Sequence, residues 1–326
     1  MLHTSCVICA SNDAVPVYRL RRDPYLHRLG LDHLLVAKVM CRVCGLVYSQ
    51  PQLEPSELKR LYDLLRPTET PSPEHLWWKR QQAREDFEWV APHLALAGAV
   101  LEIGCSEGSL LREFRDRGWT VCGVEPSAFA EFGRREYGLD ILQGSFEDME
   151  LPAQAFDVVV ALRVLEHVSD PRAVLARGRS LLKRDGRLYL EVPDAWKPRH
   201  HPAEFWGAHH LRLFTHDSLA GLLHAAGFSP LVIDESWCGL RALAAPAGQE
   251  GTLPRASSSP NHVPARARAL RRALLRYQVT YFCKVTARRR ARQALDWILG
   301  PRAARALVAW GKRTLGALTA FMTVKG

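Results

Sequence analysis

Between residues 98 and 247 the chain alternates short apolar runs with amphipathic stretches. The apolar runs are 99–103, 120–124, 158–161, 188–192, 231–233 and 240–245. Most are separated by segments patterned for helices, at 109–117, 128–137, 171–182 and 218–226. Strands that alternate with helices predict an α/β fold with a mainly parallel, doubly wound sheet covered on both faces. Gly118, Gly138, Gly186 and Gly227 stand where helices should stop, since the residue past a helix end favours left-handed backbone.

Four further regions flank this one. Residues 1–50 hold two cysteine pairs. Residues 51–97 form a helical connector, with one helix opening at Pro55, a Pro-rich break at 66–73 and a second helix over 74–96. Residues 248–262 read as a linker. Residues 263–326 form a basic helical tail, in which Leu307, Val308, Trp310, Leu315, Leu318, Phe321 and Met322 share one face and Arg302, Arg305, Lys312 and Arg313 the other.

Charge changes the picture of the tail. The net charge is +10, yet from Arg255 to Gly326 sixteen basic residues face one acid, Asp296, leaving Met1–Pro254 at −5. Such asymmetry calls for an anionic partner or a solvated outer face. Three readings stay open: cover for the domain, peripheral contact with anionic membrane, and a nucleic-acid or protein partner. No secretory signal and no apolar run of about 18 residues is visible. The expectation is a cytoplasmic protein, with the tail offering contact at the inner face of the membrane.

Cys6/Cys9 and Cys41/Cys44 form two C-x2-C pairs. Four thiolates make the tetrahedral soft-ligand set of a structural zinc site, and in a reducing compartment paired cysteines are more often ligands than disulfides. Buried free thiols are the alternative, and His27 and His33 are substitute ligands.

The strand 100–103 ends at Gly104, Gly108 follows, and a helix pattern begins at Ser109. Gly lets a ligand approach the backbone, and a helix N-terminus offers free N–H groups to an anion. The G-x-x-x-G spacing is not the G-x-G-x-x-G of a dinucleotide site, and Glu102 suits a cationic amino group better than a pyrophosphate. Glu125 closes the next strand, at the distance where a carboxylate reaches ribose hydroxyls. The segment 144–148 could hold a base, and 156–167 is a strand running into a loop.

These elements, in this order, resemble the class I S-adenosylmethionine-dependent methyltransferases. The resemblance implies a seven-stranded Rossmann-like sheet over 98–247. It implies that Glu102, Gly104, Cys105 and Gly108 hold the methionine part, and Glu125 with Pro126 the ribose. Ser145 and Phe146 then flank the adenine, and Leu162 and Arg163 lie near the sulfonium. Many members have glycine at Ser106 and Asp at Ser145. The segments 41–51 and 57–62 resemble the zinc-binding N-terminal domain of a bacterial group that includes deoxysugar C-methyltransferases. The further C-terminal α/β domain of that group is not evident, which leaves sugar O-methylation equally open.

Methylating a hydroxyl needs a base as well as positioning. Candidates are His209 and His210 in the segment 204–210, and His167 after the strand 156–162; the alternative for each is a structural histidine. Trp196, Phe205 and Trp206 could stack on the acceptor. The expected acceptor is a small molecule or glycan. The alternative is an RNA methyltransferase gripping nucleic acid with the zinc module and tail. Against it, the strand end lacks the Asn/Asp-Pro-Pro-aromatic motif of amino-group nucleobase methylases.

Overall fold

The computed structural model describes residues 3–20, 23–31, 33–65, 70–198, 205–237, 239–248 and 265–277. Contacts divide the chain into a unit of Met1–Arg272 and a unit of Ala273–Gly326. Of the second unit only 273–277 are described, as the end of a helix over 265–277. The amphipathic stripe expected at 307–322 lies outside the described residues, as do most of the expected linker and His200 and His201.

The first unit opens with β1 (Ala14–Leu20), α1 (Pro24–Arg28), β2 (Val36–Cys41), β3 (Val47–Ser49), α2 (Pro55–Leu65) and α3 (Pro73–Val90). Then come β4 (Ala99–Ile103), α4 (Ser109–Arg115), β5 (Thr120–Glu125), α5 (Phe129–Tyr137), β6 (Ile141–Gln143), β7 (Phe156–Leu162) and α6 (Pro171–Leu181). The described elements of this unit continue with β8 (Leu182–Val192), β9 (Arg212–Leu213), α7 (His216–Ala225), β10 (Phe228–Glu235) and β11 (Leu240–Pro246).

Seven strands form one sheet in the order β10-β11-β8-β7-β4-β5-β6. β4 to β8 run parallel, whereas β11 is antiparallel to β8 and to β10. Two faces of helix cover explain why the inner strands read as unbroken apolar runs. Leu101, Ile103, Val159 and Ala161 point into one core cluster, and Val100, Val158 and Val160 into the other, with Phe87 of α3 and Phe114 of α4. Each buried Val, Leu or Ile side chain among these stabilises the fold by about 1.5–3 kcal/mol. Strand order reverses between β4 and β7, and at such a switch point a crevice opens beyond the carboxyl ends of the strands.

Local sequence sets the helix ends. Asp170 accepts the N–H groups of Arg172 and Ala173, with Pro171 at the first position of α6. Thr215 and Ser218 form a capping box at α7. Two expectations need correction. Gly186 ends no helix, because α6 passes directly into β8 and Gly186 lies within that strand; an added Cβ there would meet the Lys183 carbonyl at 3.0 Å. The second connector helix stops at Val90 rather than Leu96, giving way to one 3-10 turn at Ala91–His93. Pro92 lacks the N–H that another α-turn needs.

A second sheet has the order β1-β2-β3-β9 and is antiparallel throughout. Its last strand comes from residues 212–213, far along the chain. The N-terminal strands are therefore paired directly to the segment that carries His209 and His210.

Candidate active site

The loop after β4 sits at the switch point. Gly104 and Gly108 take φ of +70° and +82°, and Ser106 takes +55°. An added Cβ at Gly104 would stand 2.6 Å from a Val164 methyl, so only glycine fits between the loops after β4 and β7. Glu125, at the end of β5, reaches across. One of its carboxylate oxygens accepts the Ser106 N–H at 2.8 Å and the other the Ser127 N–H at 2.8 Å. It thereby fixes the loop's left-handed turn, and each oxygen keeps a lone pair for a further donor.

Glu102, at the end of β4, is buried and one of its oxygens has no partner. Burial pushes its carboxyl up to about 8. Glu107 is fully buried. Burial opposes its charge, but hydrogen bonds from His75, Ser109 and Ser106 and the nearby Lys79 ammonium hold it down at about 2. Cys105 is buried, and burial raises its thiol well above the usual range, which makes it a packing residue and not a nucleophile.

α3 roofs this loop. Lys79, Gln82, Ala83 and Asp86 line one cavity with Glu102, Cys105, Leu162 and Arg163, about 20 Å³ in volume, or room for about one water. Burial and Arg163 push the Lys79 ammonium down, while Glu107, Glu102 and Asp86 favour its charge. Asp86 accepts the Tyr189 hydroxyl at 3.0 Å, and burial raises it to about 6. Arg163 turns back to Glu191, with Nη1 2.8 Å from the carboxylate. His75, Lys79, Asp86 and Glu107 did not emerge from the sequence as site residues. The spacing 79, 82, 83 and 86 is one helical face, a signal that could have found the roof.

Ser145 follows β6 in extended backbone. Phe146 is buried in the core, with the Arg177 guanidinium 4.5 Å above its ring. Pro126 is half-buried beside Glu125.

The three candidate histidines come together. His167 and His209 stack with centroids 5.8 Å apart, and His210 lies 4.2 Å from His209 and 5.0 Å from His167. His167 Nδ1 is 3.0 Å from the His209 carbonyl and His210 Nδ1 is 2.8 Å from the Phe205 carbonyl. A carbonyl only accepts, so each Nδ1 carries the proton and each Nε2 the lone pair. Burial pushes His167 down to about 4 and His209 to about 3, which makes these rings neutral at pH 7.

Distant residues hold this cluster. The Tyr62 hydroxyl of α2 lies 2.5 Å from the His167 carbonyl and 3.0 Å from that of His209. Lys38 of β2 is fully buried and donates to Ser49 Oγ at 2.7 Å, to the Gly207 carbonyl at 3.0 Å and to the His210 carbonyl. Burial lowers its ammonium to about 7. Asp23 caps α1 with one oxygen and accepts the Ala208 N–H with the other, at 2.7 Å. Phe205 and Trp206 are core residues, 2% and 0% exposed, and cannot stack on an acceptor. Apolar packing against Tyr18, 5.2 Å away, claims the Trp206 ring. Trp196 remains half-exposed.

The four N-terminal cysteines also converge. Cys6 and Cys44 sulfurs stand 3.4 Å apart and those of Cys9 and Cys41 3.5 Å, with all four within 4.8 Å of one another. These spacings are far beyond the roughly 2.05 Å of a disulfide. They are close to the separation of about 3.8 Å expected for sulfurs 2.3 Å from a tetrahedral zinc. His27 and His33 lie on the exposed surface, outside this cluster.

Residues 76–232 match the family model described as a methyltransferase domain. A ubiquinone biosynthesis O-methyltransferase of Pseudomonas aeruginosa is 35% identical over 135 residues, covering 36% of this chain and 58% of that protein. Its counterpart from Stutzerimonas stutzeri is 31% identical over 134 residues, with the same coverage. The chain thus spans about 58% of the length of the curated relatives it matches. A 1,6-didemethyltoxoflavin-N1-methyltransferase of Burkholderia thailandensis, solved with 1,6-didemethyltoxoflavin and S-adenosylhomocysteine, superposes with a TM-score of 0.49. It shares 21% identity, over 62% of this chain and 96% of that one.

Proposed function

Since the chain carries a class I S-adenosylmethionine-dependent methyltransferase domain, we propose that it methylates a small-molecule or glycan acceptor at an oxygen. The observation that carries this reading is the juxtaposition at the switch point. The Glu125-braced loop after β4 packs at Gly104 against Val164 of the loop after β7, and that loop carries His167, which gathers with His209 and His210.

On this reading Glu102 receives the ammonium of the methionine part, and the Gly104–Gly108 backbone with Cys105 packs along it. Glu125 and Pro126 hold the ribose, Ser145 and the edge of Phe146 border the base, and Leu162 and Arg163 lie beside the sulfonium. S-adenosylmethionine, when bound, would supply an electrophilic methyl group to the acceptor oxygen, and an imidazole, His209, His210 or His167, would take the hydroxyl proton. The donor set and spacing of Cys6, Cys9, Cys41 and Cys44 fit a structural zinc, which would close the N-terminal sheet and take no part in the transfer.

The test has two parts. Calorimetry with S-adenosylhomocysteine should show one site per chain that weakens in Glu125→Ala. Single turnover with labelled S-adenosylmethionine against hydroxylated sugars and phenols should label an oxygen. Tight cofactor binding with no labelled product from any acceptor, sugar, phenol, RNA or protein, would sink the catalytic reading.

A further inference from the structure

Three groups with lone pairs that could ligate a metal, Glu166, His167 and His210, meet at the proposed acceptor side. Arg163 takes left-handed backbone with φ of +58° just past β7, and the turn closed by His167 N–H on the Val164 carbonyl at 2.9 Å follows. This turn places Glu166 and His167 side by side, with Glu166 Oε1 3.8 Å from His167 Nε2. The other Glu166 oxygen is buried without a hydrogen-bond partner, although the residue is 2% exposed. Ligand atoms of Glu166, His167 and His210 lie within 4.8 Å of one another. Both imidazoles spend their Nδ1 protons on backbone carbonyls, so neither has a proton to give the carboxylate. Burial pushes the Glu166 carboxyl up to about 8, and a cation among the three groups would favour its charged form.

We propose that Glu166, His167 and His210 form a site for a divalent transition-metal ion that binds the acceptor's hydroxyl oxygen. Two imidazoles and one carboxylate are the ligand set of catalytic metal sites, in which the remaining positions stay open to water or substrate. The carbonyl partners of the two Nδ1 atoms supply the orientation that metal-bound histidines need. The His167 ring is about a third exposed, which opens the site to an incoming oxygen. His209 stacks on His167 with its Nδ1 unpartnered and is left outside the ligand set to take the hydroxyl proton. The cation stabilises the resulting oxyanion, which then attacks the methyl group; the sulfonium becomes a thioether and one proton is released.

The role in transfer rests on the proposed methyltransferase reading, but the binding of metal does not. Mn2+ is the probe because it is visible by EPR and its preference for hard oxygen ligands keeps it away from the thiolates. Full-length protein purified with the cysteine cluster filled by zinc is titrated with Mn2+, and loss of the free-ion EPR signal is read. One Mn2+ per chain is expected, weakened at least tenfold in Glu166→Gln and in His210→Gln, with S-adenosylhomocysteine affinity unchanged in both. If Glu166→Gln does not fold, His167→Gln, on a partly exposed ring, carries the same test. No bound Mn2+, or equal binding by wild type and variants, overturns the site. Bound Mn2+ together with no methyl transfer to any acceptor keeps the site and overturns the methyltransferase reading instead.

Discussion

The two halves of the proposed site are built in opposite ways. The proposed cofactor side is local: Glu102, Gly104, Ser106, Gly108 and Glu125 come from one strand–loop–helix–strand unit, braced by Glu125 on the Ser106 and Ser127 N–H groups. The acceptor side is assembled from afar. His210 is held by Lys38, 172 residues away, and the His209 carbonyl by Tyr62, 147 residues away. Local construction makes a side readable and self-supporting. Remote construction makes it dependent on packing elsewhere, above all on the N-terminal sheet.

The largest expected effect breaks the remote side alone. Stripping metal from the cysteine cluster with a chelator under reducing conditions should lower the melting temperature by about 10 °C or more, since a structural zinc contributes several kcal/mol to folding. Cys41→Ser should do the same. Unchanged melting by circular dichroism would mean that the cluster holds nothing.

Next comes the local side. Glu125→Ala removes two charge-assisted hydrogen bonds from the loop as well as the proposed ribose acceptor. Calorimetry should show S-adenosylhomocysteine binding at least about a hundredfold weaker, or roughly 3 kcal/mol, with the histidine cluster untouched. A loss below threefold would contradict the placement of the cofactor.

A third test uses pH. Glu102 is raised to about 8, so below that pH the empty site holds it protonated, and an incoming ammonium favours its carboxylate. Binding should release up to one proton and tighten by up to tenfold per unit as pH rises towards 8, then level off. Calorimetry in buffers of different ionisation enthalpy reads the proton directly, and Glu102→Gln should abolish it. Affinity independent of pH between 6 and 8 in wild type would place the ammonium elsewhere.

The smallest effect sharpens the contrast. Lys38→Met withdraws the donor from Ser49 and from the Gly207 and His210 carbonyls. The turnover rate should fall about tenfold while S-adenosylhomocysteine affinity stays within twofold. A change of the opposite kind, affinity lost and turnover kept, would show that the two sides are not separable in this way.

What the sequence reveals follows the same division. The alternation of apolar runs was enough for the parallel sheet, and the glycines at 104 and 108 with Glu102 and Glu125 were enough for the loop. The histidines at 167, 209 and 210 were legible as residue types, but their convergence was not, because it depends on β9 pairing with β3. Phe205 and Trp206 looked like exposed stacking rings next to those histidines, yet the same pairing pulls them into the core. Glu166 was overshadowed by His167, and Lys38 lay in a stretch read only for its cysteine pairs. Gly186 imitated a helix stop because a glycine within a strand and one past a helix are alike until backbone angles are known.

The two-residue strand β9 has a practical consequence. A truncation that starts at residue 98 would delete β3, the only strand paired with β9 in the described sheet, together with Lys38 and Tyr62. The remaining α/β core would keep its seven strands and the loop after β4, while losing Phe87 and Val90 from its packing, the α3 roof over the loop and the supports of His209 and His210. Chimeras that graft the N-terminal module onto other catalytic cores must therefore exchange residues 205–215 with it, or they will join two halves of an unfinished sheet.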